Sequence, residues 1–157
     1  METHTRQQAA YTIEKGELED FPEIVDVWEA SVRATHHFLS EEDILYFKPL
    51  ILHEYLDAVD LWVALDQQKK IVGFLGIVDD SIEMLFIHPD HRGLGAGKLL
   101  LHHAIHTLQA KYVDVNEQNV QAVGFYEKMG FVTHSRSERD SLGKPYPLLH
   151  MELRLDK

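Results

Sequence analysis

The chain has 157 residues, 45% apolar and 26% charged, which fits one globular domain with its own core and excludes a disordered or fibrous protein. It contains no cysteine, so disulfides and an acyl-cysteine intermediate are excluded. The formal net charge of −11 argues against a nucleic-acid partner, which needs a Lys/Arg surface, and suits a cationic substrate such as an amine.

Residues 1–10 lack the apolar segment of a secretory signal and read as a polar tail, with the domain running over 11–157. No apolar run reaches the roughly 20 residues that span a bilayer. No membrane partner is expected, and the cytoplasm is the expected location. Tyr11 to Glu17 predicts a short strand. Glu19-Asp20-Phe21-Pro22 starts a helix, and Phe21, Ile24, Val25, Trp28 and Val32 recur on one face of it before it fades near Thr35-His36-His37. Ser40-Glu41-Glu42-Asp43 reads as a capping box opening a second helix, which Pro49 should kink or break. Strands follow over Leu61–Leu65, Ile71–Val78 and Ile82–His88, separated by polar turns. After a glycine loop, Leu99, Leu100, His103, Ala104 and Leu108 mark the buried stripe of a helix. Tyr112–Val115 is a strand, Asn119–Met129 a helix closed by Gly130, and Phe131–Ser137 another strand. Leu149, Met151, Leu153 and Leu155 alternate with polar residues in a half-buried last strand. The order β-α-α-β-β-β-loop-α-β-α-β-β predicts a mixed sheet with helices on its faces, one α/β domain.

The run His91-Arg92-Gly93-Leu94-Gly95-Ala96-Gly97-Lys98 joins an apolar strand to an apolar helix. Glycines there let the backbone take φ > 0 and approach a ligand, and the helix that follows offers unpaired N–H groups and the positive end of its dipole. Arg92 and Lys98 add local cations in an acidic protein. The loop therefore suits a phosphate group. Two familiar phosphate loops are excluded. A Walker A loop would need Gly where Arg92 stands and Ser or Thr where Leu99 stands, and a Gly-x-Gly-x-x-Gly fingerprint fails at Lys98 and at Leu100. A nucleotide-hydrolysing enzyme is accordingly disfavoured.

Arg92-x-x-Gly95-x-Gly97 resembles the acetyl-CoA signature of the GNAT acetyltransferase superfamily. Downstream, Asn119-x-x-Ala122-x-x-Phe125-Tyr126-Glu127-Lys128-x-Gly130-Phe131 is similar to the family's other signature, at the matching spacing. The segments 31–36, 115–119 and 143–148 are similar to the bacterial YjaB-type branch. The resemblance runs from about Tyr11 to the C-terminus. It implies a GNAT-like fold, a central mixed and mostly antiparallel sheet flanked by about four helices. It also implies an acetyl-CoA-dependent N-acetyltransferase acting on a primary amine of a small molecule, peptide or protein. Acetyl-CoA is then the co-substrate, no metal is expected, and either a monomer or a homodimer fits. The resemblance places the pantetheine along the main chain of Leu85, Phe86 and Ile87, and the pyrophosphate on Arg92, Gly93, Leu94, Gly95, Ala96, Gly97 and Lys98. Asn119 and Tyr126 lie along the arm, with Tyr126 near the sulfur. The competing reading from another class is a non-catalytic acyl-CoA-binding or sensing module of the same fold.

The reaction implied is direct transfer, in which a neutral amine attacks the thioester, an oxyanion forms, and CoA leaves as a thiolate. Backbone N–H groups near Phe86 and Ile87 are candidates for the oxyanion. Tyr126 is the candidate acid for the sulfur, the alternative being a plain core aromatic. A lysine-like amine has a pKa of about 10.4 and needs a base. Glu83 is the candidate, with a solvated strand carboxylate as its plain alternative and His36 as its rival. Lys128 is placed to reach the 3′-phosphate of CoA or to stand exposed on its helix. His102 and His106 have metal-ligand spacing but no recognisable third ligand.

Overall fold

The computed structural model describes residues 10–154; all but the last residue of the tail expected over residues 1–10, and the expected strand position Leu155, lie outside them. Strand β1 (Thr12–Lys15) leads into α1 (Phe21–Thr35) and then α2 (Glu41–Leu50). Strands β2 (Asp60–Leu65), β3 (Ile71–Val78) and β4 (Ser81–Ile87) form a meander. The glycine loop follows, then α3 (Ala96–His102), β5 (Tyr112–Asn116), α4 (Val120–Lys128), β6 (Phe131–Ser137) and β7 (Leu148–Leu153). The seven strands make one sheet in the order β1-β2-β3-β4-β5-β7-β6. Every neighbouring pair is antiparallel except β4 and β5, which run parallel. The element order and the mixed, mostly antiparallel sheet are those expected from the sequence.

Apolar side chains fill both faces of the sheet. On one face, α1 and α2 pack Ile24, Val25, Trp28, Val32 and Ile44 against Val63 and Phe74. On the other, α3, the helical turn His103–Thr107 that follows it and α4 pack Leu100, Leu101, Ala104 and Tyr126 against Leu75, Ile82, Val113, Val115 and Met151. All five residues of the expected α1 stripe are buried, and burying each large apolar side chain is worth roughly 1.5–3 kcal/mol.

Three local expectations change. The capping box at Ser40 is only half formed. Ser40 Oγ accepts from the Asp43 N–H at 3.1 Å, but the Asp43 carboxylate turns away to the Tyr146 hydroxyl and to Lys144 Nζ at 3.2 Å. Pro49 does not break its helix. Helical backbone continues through it, and the lost N–H is absorbed by a wider turn over Ile51–Tyr55 with i→i+5 bonding, followed by a 3₁₀ turn at Leu56–Ala58. In α3 and the wider helical turn His103–Thr107 that continues it, the buried face holds Ala96, Leu100, Leu101 and Ala104, while Leu99 is 38% exposed. One residue is a turn of about 100° on a helix, and Leu99 falls on the far side of a face centred on Leu100 and Ala104.

Candidate functional site

The sheet opens at its one parallel junction. β4 and β5 pair only at Ser81–Tyr112 and Ile82–Val113, and beyond that they separate. The divergence begins at a β-bulge. Met84 faces Gly76 and Ile82 faces Ile77, so Glu83 is the residue left without a partner in β3. A bulge bends and twists its strand, and this one swings the end of β4 away from β5. The gap continues into a cleft of about 770 Å³ lined by β4, the glycine loop, β5 and α4.

The backbone of β4 supplies donors and acceptors to this gap. The His88 N–H donates to the Val72 carbonyl at 2.8 Å. Antiparallel alternation then points the main-chain groups of Phe86 toward β3 and those of Leu85 and Ile87 into the gap. Of the two oxyanion candidates, Ile87 and not Phe86 therefore turns its N–H into the cleft, alongside that of Leu85. The Phe86 side chain stacks on Phe74, with centroids 5.5 Å apart.

In the glycine loop, Gly93 and Gly95 have φ of 73° and 101°, the left-handed region that favours glycine. Gly97 is different. It lies inside α3, and a Cβ there would meet only ordinary contacts with Ile87 at 3.5 Å and Phe125 at 3.8 Å. Internal packing does not demand a glycine at 97, whereas a ligand lying against the first turn of α3 would. The first-turn N–H groups of Ala96, Gly97 and Lys98 have no carbonyl one turn back within the helix and are free for an anion. Arg92 lines the same wall, and its Nη2 reaches the Ser31 carbonyl at 3.5 Å.

Of the sequence candidates, Glu83, Leu85, Phe86, Ile87, Arg92, Gly93, Leu94, Gly95, Gly97, Lys98, Asn119 and Tyr126 all line the cleft, as does Lys128. Ala96 does not, because its side chain is buried in the core, leaving only its backbone to the loop. Asn119 is the N-cap of α4, its Oδ1 accepting from the Ala122 N–H at 3.2 Å. Tyr126 is 6% exposed, edge-on to Phe125 and Phe131, and burial pushes its phenol pKa up. It stays protonated through the neutral range.

Glu83 is exposed along the cleft. Even so, desolvation by the surrounding walls raises its carboxyl pKa, the charge of Asp114 adds to the rise, and a hydrogen bond from Ser81 opposes it. Asp114 is held by His150 Nδ1 at 2.7 Å, and His150 Nε2 meets Ser137 Oγ at 2.6 Å. His36 also lines the cleft. Its burial, with the Arg92 and His37 charges, pulls its pKa down to about 4. Among the described residues, no three His, Asp or Glu side chains are grouped to hold a metal ion.

Sequence reading missed Ser31, Thr35, Asp114 and Gln121, which also line the cleft, as does His91 at the head of the glycine loop. Two had a signal. Ser31 is the one polar residue within the buried α1 stripe, and Asp114 alternates with Val113 and Val115, which places it on the other face of the sheet from them.

Residues 28–155 match the family model described as an acetyltransferase (GNAT) domain. The chain is 44% identical to the peptidyl-lysine N-acetyltransferase YjaB of Salmonella typhimurium over 139 residues, 88% of this chain and 95% of that protein. The YjaB of Escherichia coli is likewise 44% identical over 140 residues. The solution structure of the apo form of E. coli YjaB superposes with a TM-score of 0.82 at 43% identity, covering 90% of this chain and 96% of that one. The PaiA N-acetyltransferase of Thermoplasma acidophilum, solved in complex with coenzyme A, shares the fold with a TM-score of 0.70 at 21% identity.

Proposed function

The chain belongs to the GNAT family of acetyltransferases, and we propose that the amine it acetylates is the side chain of a lysine in a peptide or protein. The enzyme moves the acetyl group from acetyl-CoA directly to a primary amine. The lysine acceptor is supported by the relatives, which are named for that substrate and match nearly end to end. It is also supported by the carboxylates of Glu83 and Asp114, which bring two acidic groups to the cleft that the amine must enter.

The observation that carries the mechanism is the gap between β4 and β5, with Tyr126 on the α4 wall and Glu83 where the two strands part. The pyrophosphate of acetyl-CoA sits on Arg92, the Gly93–Gly95 turn and the first turn of α3, with Lys98 adding charge. Its pantetheine runs along the main chain of Leu85 and Ile87, with Asn119 on the opposite wall and Lys128 at the 3′-phosphate. Glu83 takes the amine proton, directly or through water. The raised pKa makes it a stronger base than an ordinary carboxylate. His36, with a pKa near 4, is the weaker acceptor of that proton. The amine nitrogen bonds to the thioester carbon, the Ile87 N–H receives the oxyanion, the nitrogen of the adduct gives its second proton to solvent, and the C–S bond then breaks with its electron pair on sulfur. Tyr126 donates its proton to that thiolate and regains one from solvent. Burial raises the phenol, which keeps Tyr126 protonated until the thiolate forms beside it. The transferase domain is taken as residues 11–157, acting in the cytoplasm as a monomer or homodimer without nucleic acid.

The test is thiol release from acetyl-CoA with four acceptors: a lysine peptide with a blocked N-terminus, the same peptide with lysine replaced by norleucine and a free N-terminus, spermidine and an aminoglycoside. The blocked lysine peptide is expected to give the highest kcat/KM. Turnover with any of the others but not with it would overturn the acceptor class.

A further inference from the structure

His36 lies at the C-terminal end of α1, between the two walls of the cleft, and takes no part in the mechanism above. Its hydrogen bonds determine which ring nitrogen carries the proton. The Thr35 hydroxyl donates to the Ser31 carbonyl at 2.8 Å, and a carbonyl can only accept. The single hydroxyl hydrogen is therefore spent. Thr35 Oγ1 also meets His36 Nδ1 at 2.9 Å, and that contact has to run from Nδ1–H to the hydroxyl oxygen. A neutral imidazole carries one proton, so Nε2 is left with a lone pair.

The lone pair faces Asn119, whose Nδ2 lies 3.5 Å from Nε2. The orientation of the Asn119 amide is set independently. Its Oδ1 caps α4 through the Ala122 N–H, which only an oxygen can do, so Nδ2 is the atom turned toward His36. The ring is also held by apolar neighbours, with Phe38 at 5.1 Å and Phe86 at 6.2 Å between centroids. Donor meets acceptor at each step from the Ser31 carbonyl through Thr35 and His36 to Asn119.

We infer that His36 is a positioning residue: as the Nδ1–H tautomer it holds one Asn119 Nδ2 hydrogen on Nε2, so that the other is presented to an amide carbonyl of the acetyl-CoA arm. The inference rests on the proposed placement of that arm beside Asn119. A carboxamide fixed at both ends loses less freedom on binding than one free to rotate, and that gain appears in cofactor affinity. Its effect falls on acetyl-CoA rather than on the proton taken from the amine.

The test has two arms. In the wild-type protein labelled with ¹⁵N at histidine, long-range ¹H–¹⁵N spectra are expected to show His36 with a protonated Nδ1 and an unprotonated Nε2 at neutral pH. A protonated Nε2 would overturn the inference without any variant. In kinetics, His36→Phe keeps a ring but removes the acceptor, and is expected to raise the KM for acetyl-CoA about fivefold, the equivalent of one neutral hydrogen bond, with a smaller change in kcat. His36→Gln, which offers a carbonyl near the Nε2 position, is expected to recover part of that loss. Added to Asn119→Ala, His36→Phe should have little further effect on this KM. A fall in kcat with loss of the acid limb of the pH profile, and no change in KM, would assign His36 to the base and overturn the inference. If Asn119→Ala leaves the acetyl-CoA KM unchanged, the placement of the arm itself has failed, separately from the tautomer.

Discussion

Tyr126 can lose its hydroxyl without losing its place in the core, because its ring packs edge-on to Phe125 and Phe131. Tyr126→Phe is therefore expected to lower kcat by roughly 10²-fold or more, as removal of a positioned general acid does. Stability and the KM for acetyl-CoA should change far less, measured by thiol release and thermal unfolding. His36 gives a residue-scale prediction for stability. Its ring is neutral in the folded protein, with a pKa near 4, while an unfolded histidine titrates at about 6.5. As pH falls, the unfolded chain takes up the proton first. The stability tied to this ring is whole above about pH 6.5 and is lost progressively down to about pH 4, a change on the order of 3 kcal/mol. Urea unfolding above and below that window should show this loss in the wild type and a flatter dependence in His36→Phe. At this scale the positions of single residues were readable: Tyr126, from its place in the Asn119–Phe131 block, and Glu83, from its position on the strand entering the loop, both line the cleft. The tautomer of His36 was not, because it depends on a hydroxyl hydrogen already committed to the Ser31 carbonyl.

The glycine loop is a set of unlike positions, and substitution should separate them. Gly95→Ala forces a side chain onto a φ of 101° and is expected to cost about 1–3 kcal/mol of stability, or to re-form the loop. Gly97→Ala has room within the protein and should leave stability nearly intact while weakening acetyl-CoA. Thermal unfolding with and without CoA reads both effects. The segment between β6 and β7 is strapped to α2. The Tyr146 hydroxyl donates to Asp43, Lys144 pairs with Asp43 at 3.2 Å and lies over the Tyr46 ring at 4.5 Å, and Phe38 packs on Tyr146. Tyr146→Phe removes the hydroxyl that donates to Asp43 and is expected to cost about 1 kcal/mol of stability, read by thermal unfolding. Helices and strands were legible as elements because their periodicity is local. The strap was not, since it joins residues 103 apart in sequence, and the Ser40 motif misled because its Asp43 carboxylate is taken by this distant partner.

Across the whole molecule, a net charge of −11 repels the anionic cofactor and attracts a cationic acceptor. Acetyl-CoA binding therefore depends on the local cations and backbone N–H groups of one loop, whereas the acceptor is steered by the general field. With acetyl-CoA saturating, kcat/KM for a basic lysine peptide should fall as salt rises, more steeply than for a peptide flanked by acidic residues. The family and the sheet were legible from two motifs in the right order. The cleft itself was not, because it arises where β4 and β5 part after two residue pairs, at a bulge that leaves no mark in the alternation of Ile82 to Ile87.

The most direct test of the account is the pH dependence of kcat/KM for acetylation of an N-terminally blocked lysine peptide by the wild type, Glu83→Gln and Tyr126→Phe. Because burial and Asp114 raise the Glu83 carboxyl, the wild type should show an acid limb above the ordinary carboxylate range. Glu83→Gln should lose that limb along with most of its activity, and Tyr126→Phe should keep the limb at a rate lower by roughly 10²-fold or more. A limb that survives in Glu83→Gln, or a Tyr126→Phe rate equal to wild type across the range, would contradict the assignment of base and acid in the cleft.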